Sequence, residues 1–242
     1  MKHYCNLCTN HTIYDLSSAW PRDTMYCTYC GSSVRERALV YVLNLFYPNI
    51  KNLKLHESSP SNGALTNYFN NNTDYSFSHY FKDTPNGELN KDNIRCVDLN
   101  NIPFEDNEFD IFVTLDVFEH LFHPETVIKE IYRVLKPGGC YIMTVPIENF
   151  EIPTEKACDI DANGEIYHIQ TTKSKEKNIG LEYHGNPIDN SGSVVTYYYG
   201  YDIIKLIKDN TNFDVQLFFK KDDLVNYGIC GYFKDVIICL KR

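Results

Sequence analysis

The chain has no apolar run approaching the ~18 residues that a membrane-spanning helix needs, so no transmembrane segment is expected. Its opening residues, MKHYCNLCTN, lack the apolar core of a secretory signal peptide. Basic charge is scarce too: 23 Lys and Arg stand against 32 Asp and Glu, a formal net charge of -9. That balance disfavours nucleic acid or an anionic membrane as the main partner, because phosphate contacts need clustered cations. Nine cysteines without an export signal read as reduced thiols in the cytoplasm, some of them bound to metal. A length of 242 residues suits one domain plus a small appendage and is ample for a sizeable core.

Cys5-Asn-Leu-Cys8 and Cys27-Thr-Tyr-Cys30 are two C-x2-C pairs separated by 18 residues. Four thiolates at that spacing suit tetrahedral Zn²⁺, each pair supplied by one tight turn. Four protein ligands leave no open position, so this zinc is structural, and residues 1–32 form a ribbon whose folding the metal drives. Asp15–Trp20 and Thr24–Tyr26 are expected as its short strands and turns. Ser33-Val-Arg-Glu36 is a capping box that opens a helix through Ala38, Leu39, Val42, Leu43 and Phe46, and Pro48 ends it. Arg35 and Arg37 at its start are either a landing point for a substrate anion or, more plainly, solvated or salt-bridged side chains.

The densest signal runs from Ile94 to Pro146. Ile94–Leu99 is a short β-rich run containing Asp98. Phe109–Leu115 is an apolar run of strand length followed by Asp116. Ile128, Ile131, Val134 and Leu135 mark one face of a helix, which Lys136-Pro137-Gly138-Gly139 stops before a third apolar run, Cys140–Val145. Apolar strands joined by a helix mean a parallel sheet covered on both faces, with ligands outside the carboxyl ends of its strands. Asp98, Asp116 and Pro146 fall there.

The ordered set Asp98, IPFEDNEFD, DVFEH, EIYRVLKPGG and TVP resembles the core of class I S-adenosylmethionine-dependent methyltransferases of the small-molecule type (type 11-like). The resemblance is dense over roughly Leu53 to Pro146. It implies an α/β, Rossmann-like, seven-stranded methyltransferase sandwich over residues 33–242, with S-adenosyl-L-methionine as cofactor and residues 148–201 as a substrate-side insertion. It also implies that Glu57, Ser59, Ser61 and Gly63 form the cofactor loop. Ser59 and Ser61 replace two of the usual glycines, although serine resists the positive φ that glycine accepts. No acid ends the run Asp74–Tyr80, so Ser78, His79, Tyr80 or Asp83 must serve the ribose, with Ser78 and Tyr80 the main candidates. Asp98 is implied at the adenine amino group, Leu99 at the adenine face, and Asp116 beside the methyl-transfer centre.

On the acceptor side the candidates are His120, His123 and, in the insertion, His184 within Tyr183-His-Gly-Asn-Pro187. A hydroxyl acceptor needs a base, for which His184, His120 and Asp116 are available. The two histidines each have a plainer reading, His120 as a helix cap and His184 as a packed loop residue. The Tyr197–Tyr201 cluster reads as pocket wall or core, and Lys173–Lys177 as a solvated loop. Tyr201–Lys208 reads as the last helix, and Phe213–Phe219 and Val236–Leu240 as the last strands, with Cys230 and Cys239 near them. The chain has neither an N-P-P-Y motif for base amines nor a Pro-Cys nucleophile, which points to a small molecule or a sugar, with oxygen favoured; the resemblance to methyltransferases with an N-terminal cysteine-paired ribbon implies a surface-glycan precursor. Two alternatives stand: an RNA methyltransferase using a basic face of Arg22, Arg35 and Arg37, and a non-catalytic scaffold that keeps the fold.

Overall fold

A computed structural model gives the structure of residues 3–13, 21–147, 151–185, 192–218, 229 and 235–242. Seven strands form one sheet: β1 (Lys54–Ser58), β2 (Asp74–His79), β3 (Arg95–Cys96), β4 (Phe109–Leu115), β5 (Leu135–Thr144), β6 (Phe213–Leu217) and β7 (Val236–Lys241). Their order is β3-β2-β1-β4-β5-β7-β6. Strands β1 to β5 run parallel, while β7 lies antiparallel between β5 and β6. This is the Rossmann-like methyltransferase sandwich expected from the sequence.

Alternation along the central strands sorts the core into two layers. Ile111 and Val113 pack with Leu39, Leu43 and Val42 of helix α1 (Val34–Phe46) and with Leu65 and Phe69 of α2 (Ala64–Asn72). Phe112, Tyr141 and Met143 pack on the other side with Ile128 and Ile131 of α3 (Pro124–Val134) and Ile203 and Ile207 of α4 (Ile203–Asn210). A register shift between Phe109 and Ile111 turns Phe109 onto the Phe112 side. Each fully buried Leu contributes roughly 1.5–3 kcal/mol of transfer free energy.

Several local details differ from expectation. Helix α3 ends at Val134, and Leu135-Lys-Pro-Gly-Gly139 already belongs to β5. Gly139 is required there, because a Cβ would sit 2.7 Å from the Asp110 carbonyl oxygen. Strand β3 keeps only two residues of the Ile94–Leu99 run. Lys173–Lys177 lies in a helix, Thr172–Lys177, rather than a solvated loop, because Thr171 and Ser174 cap it reciprocally. The ribbon's strands are His3–Tyr4 and His11–Thr12, and Pro21–Thr24 is a helical turn. Asp15–Trp20, Asn186, Pro187, Phe219 and Cys230 lie outside the described residues. Cys5, Met25 and Cys27 share one buried cluster with α1 and with Leu55 of β1, so the ribbon is seated on the core rather than hung from it.

One polar group sits inside that core. His56 of β1 is fully buried, its ring nitrogens paired with Ser76 Oγ (3.0 Å) and Ser78 Oγ (2.9 Å), and it lies among Phe104, Phe109 and Phe112. Burial, reinforced by Arg95 and Lys54, pulls its pKa down to about 3. The unfolded chain therefore takes up a proton below about pH 6.5 that the fold refuses, and stability falls as pH falls from there. Denaturant titrations should show the wild type losing about 1–2 kcal/mol more than His56→Gln between pH 6.5 and 5. Parallel pH profiles would contradict the neutral buried imidazole.

Candidate functional site

The four ribbon cysteines converge. Cys5 Sγ lies 3.7 Å from Cys30 Sγ, Cys8 Sγ lies 3.7 Å from Cys27 Sγ, and the four sulfurs all fall within 4.8 Å of one another. A tetrahedron with Zn–S bonds of ~2.3 Å has edges of about 3.8 Å, so the set fits zinc; a disulfide would need about 2.05 Å. The local chain builds this twice over. Thr9 N donates to Cys5 O (2.8 Å) and Gly31 N to Cys27 O (2.9 Å), with Thr9 and Gly31 both at left-handed φ.

The parallel strands bring the predicted cofactor residues to one edge. The Ser59–Gly63 loop follows β1, Tyr80 follows β2, Asp98 and Leu99 follow β3, and Asp116 follows β4. Ser59 adopts φ +57 and Asn62 φ +54, so the chain takes left-handed conformations here without the usual glycines; Gly63 caps α2 at φ -105. Ser59 N is held by Ser78 O (2.8 Å). Ser61 Oγ would lie 3.4 Å from a Cβ at Gly63, so the loop is lined by small side chains, as a backbone cradle requires. Asp98 Oδ1 accepts from Asn100 N and Nδ2, both at 2.8 Å, in the loop after β3, and Leu99 is buried beside it.

Two predicted residues are used otherwise. Ser78 turns its hydroxyl inward to His56 and is fully buried, because position 78 points to the sheet face that carries the histidine; Tyr80 is exposed. Glu57 is buried and accepts from Tyr75 Oη (2.7 Å) and Thr66 Oγ1 (3.4 Å). Burial pushes its pKa up to about 7, partly offset by those two donors and reinforced by Glu36. Glu36 in turn accepts from Ser33 N (2.6 Å) and Leu65 N (3.2 Å), tying the start of α1 to the helix that follows the cofactor loop.

Asp116 sits at φ +52, where its carboxylate accepts from Arg22 Nη1 (2.9 Å) and Nη2 (2.7 Å), from Arg35 Nη1 and from Thr144 Oγ1 (2.7 Å). Burial alone would raise its pKa, but Arg22 and then Arg35 outweigh it and hold the carboxyl well below the usual range. Arg22 also pairs with Asp235, and Arg37 is buried on the carbonyls of Ser32 and Met25. The three arginines of a possible basic face are thus turned onto acceptors of the protein itself.

The insertion docks on the turn after Asp116. Thr196 donates from N (2.8 Å) and Oγ1 (2.7 Å) to Glu119 O, and His120 Nδ1 meets Val194 O at 2.7 Å. This brings His184 onto His120, ring centroids 5.3 Å apart and perpendicular. Glu119 Oε1 lies 3.8 Å from both His120 Nε2 and His184 Nδ1. The Glu119 carboxylate is buried with neither oxygen hydrogen-bonded among the described residues, and burial, then Asp116, raises its pKa far above the ordinary value. Burial lowers that of His120. His123 stands apart, before Pro124 at the start of α3. Tyr199 is core, stacked on Tyr197, while Tyr198 Oη donates to Glu182 (2.7 Å).

Sequence reasoning named His120, His184 and Asp116 but passed over Glu119 and Glu182 as members of the cluster. The signal for Glu119 was a carboxylate beside a histidine in a turn whose other members, Val117 and Phe118, are apolar.

Comparison with known proteins agrees with this architecture. Residues 59–143 match the family model described as a methyltransferase domain. A mitochondrial 2-methoxy-6-polyprenyl-1,4-benzoquinol methylase of Caenorhabditis elegans is 43% identical over 44 residues, 18% of this chain and 15% of that protein. A ubiquinone/menaquinone biosynthesis C-methyltransferase of Cupriavidus taiwanensis is 36% identical over 67 residues, 28% of this chain and 27% of that protein. The chain thus aligns with under a third of either relative. The structure of an S-adenosylmethionine-dependent methyltransferase from Mesorhizobium loti superposes with a TM-score of 0.52 at 12% identity, covering 87% of this chain and 99% of that one. The chain thus has a Rossmann-like fold like that of S-adenosylmethionine-dependent methyltransferases, and residues 59–143 are similar to a methyltransferase domain.

The raised Glu57 carries its own test. Its proton is held more tightly in the fold than in the unfolded chain, so the stability it contributes is complete below about pH 4.5 and is lost as pH rises through 7. Glu57→Gln should therefore gain on the wild type by about 2–3 kcal/mol between pH 5 and 8 in chemical denaturation. A constant difference across that range would refute the assignment.

Proposed function

We propose that the protein is an S-adenosylmethionine-dependent methyltransferase acting at an oxygen of a small molecule or of a sugar in a surface-glycan precursor, in the cytoplasm. The observation that carries this reading is the convergence, beyond one parallel-sheet edge, of a small-residue loop with Asp98 and the Glu119–His120–His184 cluster. Asp98 and Leu99 would hold the adenine end, the Ser59–Gly63 backbone the methionyl end, and Asp116 would border the methyl centre. Bound there, the cofactor supplies a methyl group on a sulfonium, activated for in-line displacement. The protein's own work is to position the acceptor, exclude water and receive a proton. His184, half-exposed at the mouth of the cluster, is the group that meets an acceptor hydroxyl.

Four thiolates at zinc-like separations support one structural Zn²⁺ on Cys5, Cys8, Cys27 and Cys30. Elemental analysis of purified protein should return one zinc per chain, and Cys27→Ser should lose both the metal and solubility; a metal-free, stable wild type would refute the site. The net charge of -9, with Arg22, Arg35 and Arg37 turned inward, weighs against an RNA acceptor. A carbon acceptor on a hydroxylated ring is the second reading, favoured by the names of the two aligned relatives. It would use the same cluster, since such a ring becomes nucleophilic by losing a phenolic proton.

Calorimetry with the cofactor separates the two halves of the site. Asp98→Ala should weaken binding by about 1–3 kcal/mol through the lost charged hydrogen bond. His184→Ala should leave cofactor affinity unchanged and cut turnover by roughly 10²–10⁴-fold. No binding at millimolar cofactor would favour the scaffold alternative, and a fully active His184→Ala would remove the proton-accepting role.

A further inference from the structure

The Glu119–His120–His184 cluster has an arrangement that proton acceptance alone does not require. His120 Nδ1 lies 2.7 Å from the Val194 carbonyl oxygen, which only accepts, so Nδ1 carries the hydrogen and Nε2 presents its lone pair to Glu119. His184 Nε2 faces Glu182 Oε1 at 3.4 Å, which leaves the lone pair of Nδ1 directed at Glu119 as well. Glu182 is itself fixed by Tyr198 Oη (2.7 Å) and Lys173 Nζ (2.9 Å). Three acceptors therefore converge within 4.8 Å of one another, with no donor between them among the described residues. A proton on Glu119 or a cation at the centre would relieve such a group, and two imidazole lone pairs aimed at one carboxylate suit the cation.

We infer that Glu119, His120 and His184 hold a divalent transition-metal ion at the acceptor edge of the site. Two imidazoles and one carboxylate suit Mn²⁺, Fe²⁺, Co²⁺ or Zn²⁺ and leave coordination positions open. Two of the ligand separations are 3.8 Å and all lie within 4.8 Å, and side-chain rotation would have to close them to the roughly 2.8–3.6 Å that bonds of about 2.0–2.2 Å require. Each imidazole has its second nitrogen anchored on a carbonyl or carboxylate, the outer contact that orients histidine ligands and fixes their tautomer. The cation also compensates the buried Glu119 carboxylate, which has no hydrogen-bond donor.

This inference rests on the methyltransferase reading and changes its acceptor side in one respect: with its lone pair on the ion, His184 positions the acceptor rather than taking its proton. The ion would favour acceptors with two adjacent oxygens, such as a vicinal diol or a catechol, and would lower the pKa of the coordinated hydroxyl so that its proton can pass to water. The unlike chemistry of the two sites makes them separable. Mn²⁺ prefers nitrogen and oxygen ligands, whereas the ribbon offers only thiolates.

The test is electron paramagnetic resonance and calorimetry of Mn²⁺ binding to the full chain with its zinc content measured in parallel. One Mn²⁺ per chain is expected, at least tenfold weaker in Glu119→Gln and His184→Ala and about 10–100-fold weaker in Glu182→Ala, with zinc unchanged in all. The unchanged zinc and a native circular dichroism spectrum report that each variant folds. Absence of Mn²⁺, Co²⁺ and added Zn²⁺ binding to the wild type at 1 mM (about the weakest affinity worth assigning) overturns the inference, as does binding indifferent to Glu119→Gln and His184→Ala. The two readings fail differently: a chain that binds cofactor and turns over after chelation keeps the proposed function and loses the ion, whereas one that binds Mn²⁺ but no cofactor does the reverse.

Discussion

The Asp116 carboxylate is the point on which the rest of the architecture closes. It lies at the carboxyl end of β4 in a left-handed conformation and accepts from the ribbon's Arg22, from Arg35 of α1 and from Thr144 of β5. A shielded carboxylate is costly alone, and two guanidiniums offset that cost while fixing its direction. Removing one partner of such a pair typically costs about 3–5 kcal/mol, so the contact constrains the ribbon, the first helix and the sheet together. Because Arg22 stands between the two cysteine pairs, the geometry of the thiolate cluster and that of the carboxyl edge of the sheet are mechanically linked.

The turn that follows Asp116 inherits this rigidity. Phe118 and Tyr199 bury one side of it, and Thr196 and Val194 of the insertion take up its backbone and the His120 ring. The consequence is electrostatic as well as geometric. The charge on Asp116 stays, whereas Glu119, three residues on, is buried next to that charge and resists ionising without a compensating cation. Two carboxylates on one turn thus take different roles, one structural and one turned to the site.

The sheet was legible because its signals are local and redundant: FDIFVTL alternates between two cores, and the α3 face repeats at helical spacing. The convergence of Cys5, Cys8, Cys27 and Cys30 was legible from cysteine spacing alone. What escaped was whatever depended on partners far along the chain. Arg35 reads as solvated or salt-bridged, but its partner, Asp116, lies 81 residues away and is not legible locally. Ser78 reads as a ribose contact until a histidine on the neighbouring strand claims its hydroxyl. Lys173–Lys177 is a local miss instead: it reads as a solvated run because the cap that makes it a helix is a Thr171–Ser174 pair rather than the usual Glu. The proximity of His184 to His120 was anticipated only as a shared edge; the buried carboxylate between them is a tertiary fact.

The central claim is that one sheet edge carries cofactor and acceptor chemistry side by side. A crystal structure of the full chain with S-adenosylhomocysteine, the demethylated cofactor, tests it most directly. The adenine is expected between Asp98 and Leu99, the methionyl group along Ser59–Gly63, and the sulfur turned toward Asp116 and the Glu119–His120–His184 cluster. A sulfur directed away from that cluster, or a ligand bound off the carboxyl edge of the sheet, would contradict it.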